Sequence, residues 1–379
     1  MKPFSLLIKP AGADCNLRCA YCFYLDRAEL YPEQTCHRMR EDTLTRLVRS
    51  YLALPFPAHT FAFQGGEPLL MGEAFYRKLV ALQKRYARPG ARITNCVQTN
   101  GTLITESLAQ FFALEHFLLG VSVDGPEVIH NLRRPNANGD GSHAMVMRGL
   151  DHLKAAQAEF NILTLVSKSN VGQPLEVYRY LRDTLGCHFL QFIECVEFAP
   201  DGSPLPDTIT PDEWAHFIIT IFDEWYAHDK TTVSVRLFDS ILNRLLTGNA
   251  HSCAMGGDCR AYFVVEHNGD IYPCDFFVRP ELRLGNLHTE DWDELWEAPL
   301  HTTFGERKRQ WHTTCTTCPY LKFCQGDCPK NRSGHDISAD PSRLSWLCTA
   351  WKRIYAHILP KLTQEAERLR QTSTTDPLL

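Results

Sequence analysis

Three cysteines near the N-terminus have the spacing of an iron–sulfur site. Cys15, Cys19 and Cys22 follow a C-x3-C-x2-C pattern. Three thiolates can hold three irons of a [4Fe–4S] cluster and leave the fourth iron open. An open iron can bind a small molecule directly, as the open position of a catalytic zinc site does. The alternative is a three-thiolate zinc site completed by His37, although zinc sites more often use C-x2-C than C-x3-C.

Eight further cysteines form a second group toward the C-terminus. Two fully ligated [4Fe–4S] clusters require eight thiolates, because each cluster takes four. A zinc-ribbon-like pair is the alternative, since C-x2-C is also a zinc spacing. Four other cysteines, Cys36, Cys96, Cys187 and Cys195, stand alone and are predicted to be small buried hydrophobic residues. The C-terminal group consists of Cys253, Cys259, Cys274, Cys315, Cys318, Cys324, Cys328 and Cys348.

The composition argues against several other classes of protein. An odd count of 15 cysteines in 379 residues, with no secretory signal, argues against a disulfide framework. The formal net charge of −5 does not indicate a surface for nucleic acid or for an anionic membrane. No stretch approaches the roughly 20 apolar residues of a membrane-spanning helix. We therefore expect a soluble, cytoplasmic protein with neither nucleic acid nor membrane as a partner.

An α/β core must position the first cysteine group. Strand-like and helix-like segments alternate, and such alternation builds a parallel sheet. Six units are too few for a closed eight-stranded barrel, so we expect an open partial barrel or a doubly wound sheet, with the chemistry at the carboxyl ends of its strands. The predicted strands are Ser5–Lys9, Thr60–Phe63, Arg92–Gln98, Leu118–Val123, Asn161–Val166 and Phe189–Cys195. The predicted helices are Glu41–Leu52, Glu73–Tyr86, Thr105–Phe112, Ser142–Ala156 and Leu175–Thr184.

Four segments are expected along the chain. Residues 1–200 form the α/β core, and the polar, proline-containing stretch Pro200–Pro211 marks its end. Residues 201–252 form a helical linker region, and residues 253–350 form the cysteine-rich domain. Residues 351–379 form a C-terminal helix followed by a frayed polar tail, Gln371–Leu379.

These motifs together resemble the radical S-adenosylmethionine (SAM) superfamily, whose signature is C-x3-C-x2-C with an aromatic residue, here Tyr21, before the last cysteine. Gly65-Gly66-Glu67-Pro68 resembles its GGE motif, which binds the SAM amino group through backbone and carboxylate. The resemblance implies a partial (β/α)6 barrel in which the reduced cluster donates an electron to SAM and releases a 5′-deoxyadenosyl radical. Two further matches are Ser122-Val-Asp124-Gly125-Pro126, similar to an SxDGP strand end, and Arg133-Arg134 with Gly139–Ser142, similar to an R-x-GxGS segment. The implied SAM contacts are Tyr21, Gly65, Gly66, Glu67, Ser122, Arg134 and, more approximately, Val196.

The C-terminal cysteine array resembles the SPASM domain of peptide-modifying radical SAM enzymes. Val265–Phe277 reads as two short strands across an Asn-Gly turn, which would deliver Cys274 to a cluster and place Asp275 beside it. The resemblance implies two auxiliary [4Fe–4S] clusters, and so three in all. It assigns Cys253, Cys259, Cys274 and Cys328 to the inner cluster, and Cys315, Cys318, Cys324 and Cys348 to the outer one.

From Phe4 to Trp351 the chain resembles the anaerobic sulfatase-maturating enzymes, which oxidise a cysteine or serine of a sulfatase to Cα-formylglycine. That resemblance implies that Asp275 is the general base and that Tyr24 and Gln64 contact the peptide. The oxidation removes a hydrogen atom, a proton and an electron, so it needs a base in addition to the radical. The chain departs from the family pattern at three positions: Glu194, where proline is expected, and Asn131 and Pro135, where aspartates are more common.

The sequence therefore predicts a radical SAM dehydrogenase of the sulfatase-maturating type. Its implied partners are a sulfatase segment of the form Cys/Ser-x-Pro-x-Arg and an electron donor such as a flavodoxin or a ferredoxin. The closest alternative is a SPASM maturase of a ribosomally made peptide, forming a thioether, a crosslink or an epimer. The first predicted strand begins at Ser5, which leaves no room for the N-terminal peptide-recognition domain that many such maturases carry. An iron–sulfur electron carrier or a zinc scaffold is the non-enzymatic alternative.

Overall fold

Six strands, each followed by helical chain, make up the first half of the protein, as the alternating pattern predicts. The computed structural model describes residues 1–334, 336 and 338–375. Within that part of the chain the strands are β1 Ser5–Lys9, β2 Ala58–Phe63, β3 Arg92–Thr99, β4 Leu118–Ser122, β5 Phe160–Val166, β6 Phe189–Glu194, β7 Ser234–Val235, β8 Tyr262–Glu266, β9 Asp270–Tyr272 and β10 Gly285–Asn286.

The α-helices fall mainly between the strands and after them. They are α1 Glu41–Ala53, α2 Gly72–Tyr86, α3 Glu106–Leu114, α4 Glu127–Arg133, α5 His143–Ala155, α6 Pro174–Arg179, α7 Pro211–His228, α8 Arg236–Thr247, α9 Trp292–Glu297, α10 Pro299–Glu306, α11 Leu321–Cys324, α12 Lys330–Ser333 and α13 Cys348–Thr375. Short 3₁₀ turns at Pro68–Met71, Cys253–Met255, Asp275–Phe277 and Thr313–Cys315 carry residues of the predicted site or adjoin it. Within the described residues, no helix is both long and apolar enough to cross a bilayer.

The chain packs as two units, and these do not follow chain order. One unit comprises Met1–Val123, His130–Asn161 and Cys259–Glu306. The other comprises Asp124–Ile129, Ile162–Asp258 and Arg307–Leu379. The first part of the cysteine-rich segment therefore packs with the N-terminal strands, whereas the predicted boundaries place it in a separate domain.

In the first unit the strand order is β10-β9-β8-β1-β2-β3-β4. Strands β1 to β4 run parallel, in the register Leu6↔Phe61 between β1 and β2. The hairpin strand β8 pairs in parallel with the other edge of β1, in the register Lys9↔Glu266. This pairing is not apparent from the sequence, and it places Glu266 and the turn of the hairpin at the carboxyl end of β1.

The core of the first unit is aromatic and aliphatic. Leu6, Ile8 and Phe61 are completely buried in the strands. Beside them the Phe4 ring packs against Phe263 at 4.8 Å between ring centroids, and against the rings of Tyr51, Phe56, Trp292 and Trp296. Burial of such large side chains contributes about 1.5–3 kcal/mol each relative to exposure. This packing stabilises the parallel strands, whose carboxyl ends lead into the loops with the predicted site.

The second unit contains the order β5-β6-β7 and the long helices. Helix α7 begins with a capping box, in which the Thr210 side chain and Glu213 satisfy each other's backbone N–H groups, and Pro211 occupies its first turn. Helix α8 ends at Gly248, whose φ of 78° closes the helix in the left-handed conformation. Trp214 of α7 meets Trp351 of α13 edge-on at 6.1 Å.

The structure confirms the predicted strands to within two residues at each end and corrects several helical predictions. The predicted helix Leu175–Thr184 is α6 followed by a π-helical turn, Tyr180–Thr184. Helix α4 was not predicted, because a seven-residue helix is too short for its periodicity to be clear. The tail predicted to fray from Gln371 instead continues α13 to Thr375, with the Thr372 hydroxyl donating to the Leu369 carbonyl at 2.9 Å. The last four residues, 376–379, lie outside the described residues.

Candidate active site

The loop that leaves β1 carries the first three cysteines. Backbone bonds from Gly12 N to Lys9 O (3.0 Å) and from Cys22 N to Cys19 O (3.1 Å) fold it into successive turns. The Leu17 amide donates to Cys15 Sγ at 3.3 Å, as amides do toward cluster thiolates. Burial raises the pKa of the Cys15 thiol to about 12, and the nearby Glu67, Cys19 and Cys22 raise it further. The three thiols thus share one partly buried loop whose donors fit an iron–sulfur cluster.

His37 lies beneath this loop and serves its structure. Its Nδ1 pairs with Asp14 Oδ1 at 2.8 Å, and its Nε2 lies 3.3 Å from the Tyr31 carbonyl. Both ring nitrogens are therefore engaged, which disfavours the zinc alternative that used His37 as the fourth ligand. Within the described residues, no group of three or more His, Cys, Asp or Glu side chains is arranged to hold a single metal ion.

The Gly65-Gly66-Glu67 turn lies directly against the cysteine loop. Gly66 N donates to Gly12 O at 2.9 Å, and Glu67 N donates to Asp14 O at 2.7 Å. A Cβ atom on Gly66 would stand 2.0 Å from Asp14 O, and Gly65 has a φ of 130°. Glycine is required at Gly66 by this close backbone approach and at Gly65 by its φ.

The Glu67 carboxylate is fully buried and holds the end of β3. Oε1 accepts from Leu69 N at 2.9 Å and from Thr99 Oγ1 at 2.8 Å, while Oε2 accepts from Asn100 N at 2.8 Å. Burial raises the pKa of Glu67 to about 7 despite these donors. The Glu67 carboxylate is thus held by three donors within the protein, and it fixes the turn against the end of β3.

Tyr21 and Arg134, two predicted SAM contacts, lie together beside the cysteine loop. The Arg134 guanidinium lies 5.4 Å from the Tyr21 ring centroid, a cation–π distance. The Arg134 carbonyl accepts from Ser142 Oγ at 2.6 Å. The Asn131 Oδ1, at a position where the family more often has aspartate, accepts from His143 N at 3.0 Å and so caps α5. Asn131 therefore serves the packing of this segment.

Ser122 and Val196 lie at or just after the ends of strands that belong to different units. Ser122 is the buried last residue of β4 in the first unit. In the second unit the Val196 carbonyl, just after β6, accepts from Lys330 Nζ at 2.5 Å. Glu194, which stands where proline was expected, accepts from Asn331 Nδ2 at 3.1 Å. Burial, followed by the nearby Asp327 carboxylate, raises the pKa of Glu194 to about 7.

The Asp275 carboxylate contacts side chains from three segments of the first unit, namely the carboxyl ends of β1 and β2 and the start of β8. Its Oδ2 accepts from Gln64 Nε2 at 2.8 Å and lies 3.8 Å from the Lys9 ammonium. Its Oδ1 accepts from the Tyr262 hydroxyl at 3.3 Å and lies 3.7 Å from Cys274 Sγ. The predicted base and one predicted peptide contact, Gln64, are thus in direct contact.

Tyr24, the other predicted peptide contact, is buried within this cluster. Its hydroxyl donates to Glu266, and the Lys9 ammonium lies 4.4 Å from its ring centroid. Burial lowers the pKa of Lys9, whereas the nearby Asp275 and Glu266 carboxylates raise it. The phenol of Tyr24 therefore faces Glu266 and the ammonium of Lys9.

Sequence reasoning missed Lys9, Tyr262 and Glu266. A signal existed for two of them, because Lys9 and Glu266 are charged residues that end otherwise apolar strands. Both are nearly fully buried, at 1% exposure each. Charges at the carboxyl end of a buried strand face the place where a parallel sheet carries its chemistry. Tyr262 gave no such signal, because its contact with Asp275 depends on the fold of the hairpin.

The outer set of four cysteines is brought together in the second unit. Cys315, Cys318, Cys324 and Cys348 line one cavity, together with Trp351 and Tyr355. Burial raises the pKa of Cys324 to about 12. Four thiols around one cavity fit the donor set of a [4Fe–4S] cluster.

The inner set is divided between the units. Cys259 and Cys274 belong to the first unit, and Cys253 and Cys328 belong to the second. Of the four isolated cysteines, Cys187 and Cys195 are buried and Cys96 is half-buried. Cys36 is exposed, so the prediction that it is buried was wrong, because it lies in an irregular loop before α1.

Comparison with known proteins identifies the class. Residues 10–181 match the radical SAM superfamily, and residues 257–319 match an iron–sulfur cluster-binding domain, SPASM. The fold and the cysteine sites thus define a radical SAM enzyme with an auxiliary iron–sulfur domain, and its cofactors are SAM and [4Fe–4S] clusters. This confirms the predicted fold class, a partial (β/α)6 barrel with a C-terminal cysteine-rich domain.

Full-length relatives identify the family. The chain is 36% identical to a serine-type anaerobic sulfatase-maturating enzyme from Bacteroides thetaiotaomicron, covering 95% of this chain and 90% of the relative. It is also 36% identical to a cysteine-type enzyme from Clostridium perfringens, covering 98% and 100%. A solved structure, native anSMEcpe with bound AdoMet and Kp18Cys peptide, superposes with a TM-score of 0.90 at 36% identity, covering 97% of this chain and 100% of that one. The chain belongs to the family of anaerobic sulfatase-maturating enzymes.

Proposed function

We propose that this enzyme oxidises a cysteine or serine side chain of a sulfatase polypeptide to Cα-formylglycine. The observation that carries the proposal is the Asp275 carboxylate, held by Gln64 and Lys9 and adjoining the thiol of Cys274. When bound, SAM and the iron–sulfur clusters supply the 5′-deoxyadenosyl radical that removes a hydrogen atom from the substrate and an acceptor for the remaining electron. The protein must provide a base for the proton and a site that shields the radical from water. A serine then yields the aldehyde directly, whereas a cysteine yields a thioaldehyde that water hydrolyses to the aldehyde and hydrogen sulfide.

Asp275 takes the substrate proton. Gln64 Nε2 and the Lys9 ammonium both face its Oδ2, so that oxygen is fixed in position. Oδ1 has two longer hydrogen-bond contacts, with the Tyr262 hydroxyl at 3.3 Å and with Cys274 Sγ at 3.7 Å. Oδ1 is therefore the oxygen better able to take a proton, because its hydrogen bonds are longer than the 2.8 Å bond from Gln64 to Oδ2.

The cofactor assignments of individual residues remain part of this proposal. Tyr21, Ser122, Arg134 and Val196, with the backbone of Gly65, Gly66 and Glu67, bind SAM. Cys15, Cys19 and Cys22 hold the SAM-binding cluster. Cys253, Cys259, Cys274 and Cys328 hold the inner auxiliary cluster, and Cys315, Cys318, Cys324 and Cys348 hold the outer one. The arrangement of the outer four around one cavity supports the last assignment.

The partners follow from this chemistry. The substrate is a sulfatase segment of the form Cys/Ser-x-Pro-x-Arg, and Tyr24 and Gln64 are its proposed contacts. A one-electron donor such as a flavodoxin or a ferredoxin reduces the enzyme in the cytoplasm. The named relatives include both serine-type and cysteine-type enzymes, so peptides with either target side chain are tested.

Mass spectrometry of an anaerobic reaction tests the proposal. The iron-reconstituted enzyme is incubated with SAM, a reductant and paired peptides that carry Cys-x-Pro-x-Arg or Ser-x-Pro-x-Arg. We expect an aldehyde product and matching 5′-deoxyadenosine from at least one peptide. If 5′-deoxyadenosine forms while both peptides stay unchanged, the enzyme acts on a different peptide and the proposal is wrong.

Replacing the base gives the first mutational prediction. Asp275→Asn removes the proton acceptor but keeps the side-chain shape, so SAM cleavage should persist while aldehyde formation falls at least a hundredfold, the range of general-base contributions. The exposed Asp201→Asn serves as the matched control and should retain full activity. Normal aldehyde formation by the Asp275 variant would show that another group takes the proton.

A further inference from the structure

Tyr262 contacts both the proposed base and the adjacent cysteine. Its hydroxyl oxygen lies 3.2 Å from Cys274 Sγ and 3.3 Å from Asp275 Oδ1. The proposed function assigns no role to this residue. All three residues belong to the first unit, on β8 and directly after the hairpin.

The position of this hydroxyl is fixed by packing. Tyr262 is the first residue of β8 and pairs in register with Ser5 of β1. Its side chain packs against a buried cluster that contains Ala13, Tyr24 and Val278. A half-buried ring held on these sides has little freedom to turn away from Asp275 and Cys274.

A phenol has one hydrogen to donate, and here it has two acceptors. The sulfur that Cys274 presents to an iron is a thiolate, and Asp275 presents Oδ1. A donor facing a cluster sulfur stabilises the reduced state, because reduction adds negative charge there. A donor facing Oδ1 also fixes the direction in which the proton acceptor points.

We propose that Tyr262 is a positioning residue that links the proton acceptor to the cluster ligand and raises the reduction potential of the cluster bound by Cys274. The inference rests on the proposed function, since that function supplies the base and the electron. The Tyr262 hydroxyl keeps the Asp275 carboxylate beside Cys274, the cluster ligand through which the substrate electron would leave. The proton and the electron are thereby taken up by adjacent residues, Asp275 and Cys274.

The reduction potential of the holoenzyme tests this role, because a purely structural tyrosine would not change it. Tyr262→Phe removes only the hydroxyl, and the matched control is Tyr272→Phe in the same hairpin, whose hydroxyl contacts Tyr31 at 3.3 Å. In a redox titration followed by electron paramagnetic resonance, we expect the midpoint of one cluster to become more negative in Tyr262→Phe only. Peptide oxidation should fall about ten- to a hundredfold, as for other residues that support metal ligands. Unchanged midpoints at full iron content would overturn the proposal.

A second substitution covers the case in which Tyr262→Phe fails to assemble its clusters. Incorporation of 3,5-difluorotyrosine at position 262 keeps the ring and, while the phenol stays protonated, makes the hydroxyl a stronger donor. At mildly acidic pH the same midpoint should therefore move in the positive direction. No movement would contradict the proposal. The two proposals fail separately: if the wild type forms no formylglycine while the midpoint still shifts, only the function is wrong. If the wild type forms formylglycine and the midpoint stays constant, only the role of Tyr262 is wrong.

Discussion

At the scale of single residues, the proposed active site is built around a buried ammonium group. Lys9 lies between two carboxylates, Asp275 and Glu266, and against the ring of Tyr24. Burying a charge is tolerated only when it is paired, because the desolvation cost is otherwise several kcal/mol. The Lys9 ammonium therefore stabilises the negative charges of Asp275 and Glu266 and orients the proposed base, Asp275.

Removing this ammonium should cost more than removing a surface lysine. Lys9→Met leaves Asp275 and Glu266 without their shared cation, and we expect the free energy of unfolding to fall by about 3 kcal/mol. The control is Lys78→Met, because Lys78 pairs with Glu41 on the surface and should contribute less than about 1 kcal/mol. Anaerobic chemical denaturation measures both, and an equal loss in the two variants would contradict the assignment.

Glu67 should make stability depend on pH. Its pKa is about 7 in the folded protein and near 4.5 when unfolded, so between those values the folded state binds more protons. The wild type should therefore lose about 1 kcal/mol of stability between pH 6 and pH 8 relative to Glu67→Gln, which cannot ionise. Denaturation curves for both proteins at the two pH values check this. Parallel changes in the two proteins would mean that Glu67 does not titrate in this range.

At the scale of elements, the site depends on close packing of the Gly65-Gly66-Glu67 turn against the cysteine loop. The turn at Gly65 and Gly66 donates to carbonyls of the cysteine loop and leaves no room for a side chain. The loop conformation that presents Cys15 is therefore fixed by residues some fifty positions later in the chain. Such contacts transmit any change in the turn to the cluster ligands.

Adding a single methyl group to this turn should disrupt the first cluster. Gly66→Ala places a Cβ 2.0 Å from Asp14 O, so the cysteine loop must shift. We expect the variant to lose the iron of one cluster, keep that of the other two and cleave no SAM. Gly172→Ala, whose added Cβ meets nothing within 4 Å, is the control and should keep all its iron. Full iron content in Gly66→Ala would show that the loop can adapt.

Much of this arrangement is predictable from the sequence, because local patterns determine it. The six strands, the cysteine loop and the Asn-Gly hairpin follow from periodicity, spacing and turn residues. The pairing of β8 with β1 does not, because it joins segments about 250 residues apart and no local signal encodes it. Tyr262 was missed for a similar reason, since its contact with Asp275 arises only when the hairpin folds. Lys9 did give a signal, as a charge that ends an apolar strand, but the sequence does not show which carboxylates it pairs with.

At the scale of the whole molecule, the cysteines differ in whether other thiols lie near them. Four thiols that are spread over 34 residues line one cavity in the second unit, whereas Cys36 is isolated and exposed. For the outer set, the cysteines predicted to be cluster ligands are therefore also the ones that lie together in space.

Iron content tests this difference directly. Cys318→Ser removes one thiol from the cavity, and we expect the purified, reconstituted protein to lose the iron of a single cluster because a serine oxygen is a poor substitute for thiolate. Cys36→Ser should keep its full iron content. Iron and sulfide analysis with Mössbauer spectroscopy provides the measurement. Equal iron in the two variants would show that Cys318 is not a ligand.

The parallel pairing of β8 with β1 also has a consequence for biosynthesis. During translation the chain emerges N-terminus first, so β1 to β4 leave the ribosome long before residues 262–266 can cover the free edge of β1. An uncovered, apolar strand edge is a template for pairing with another chain. The nascent protein therefore passes through an aggregation-prone stage in which the thiols of its first loop are already present.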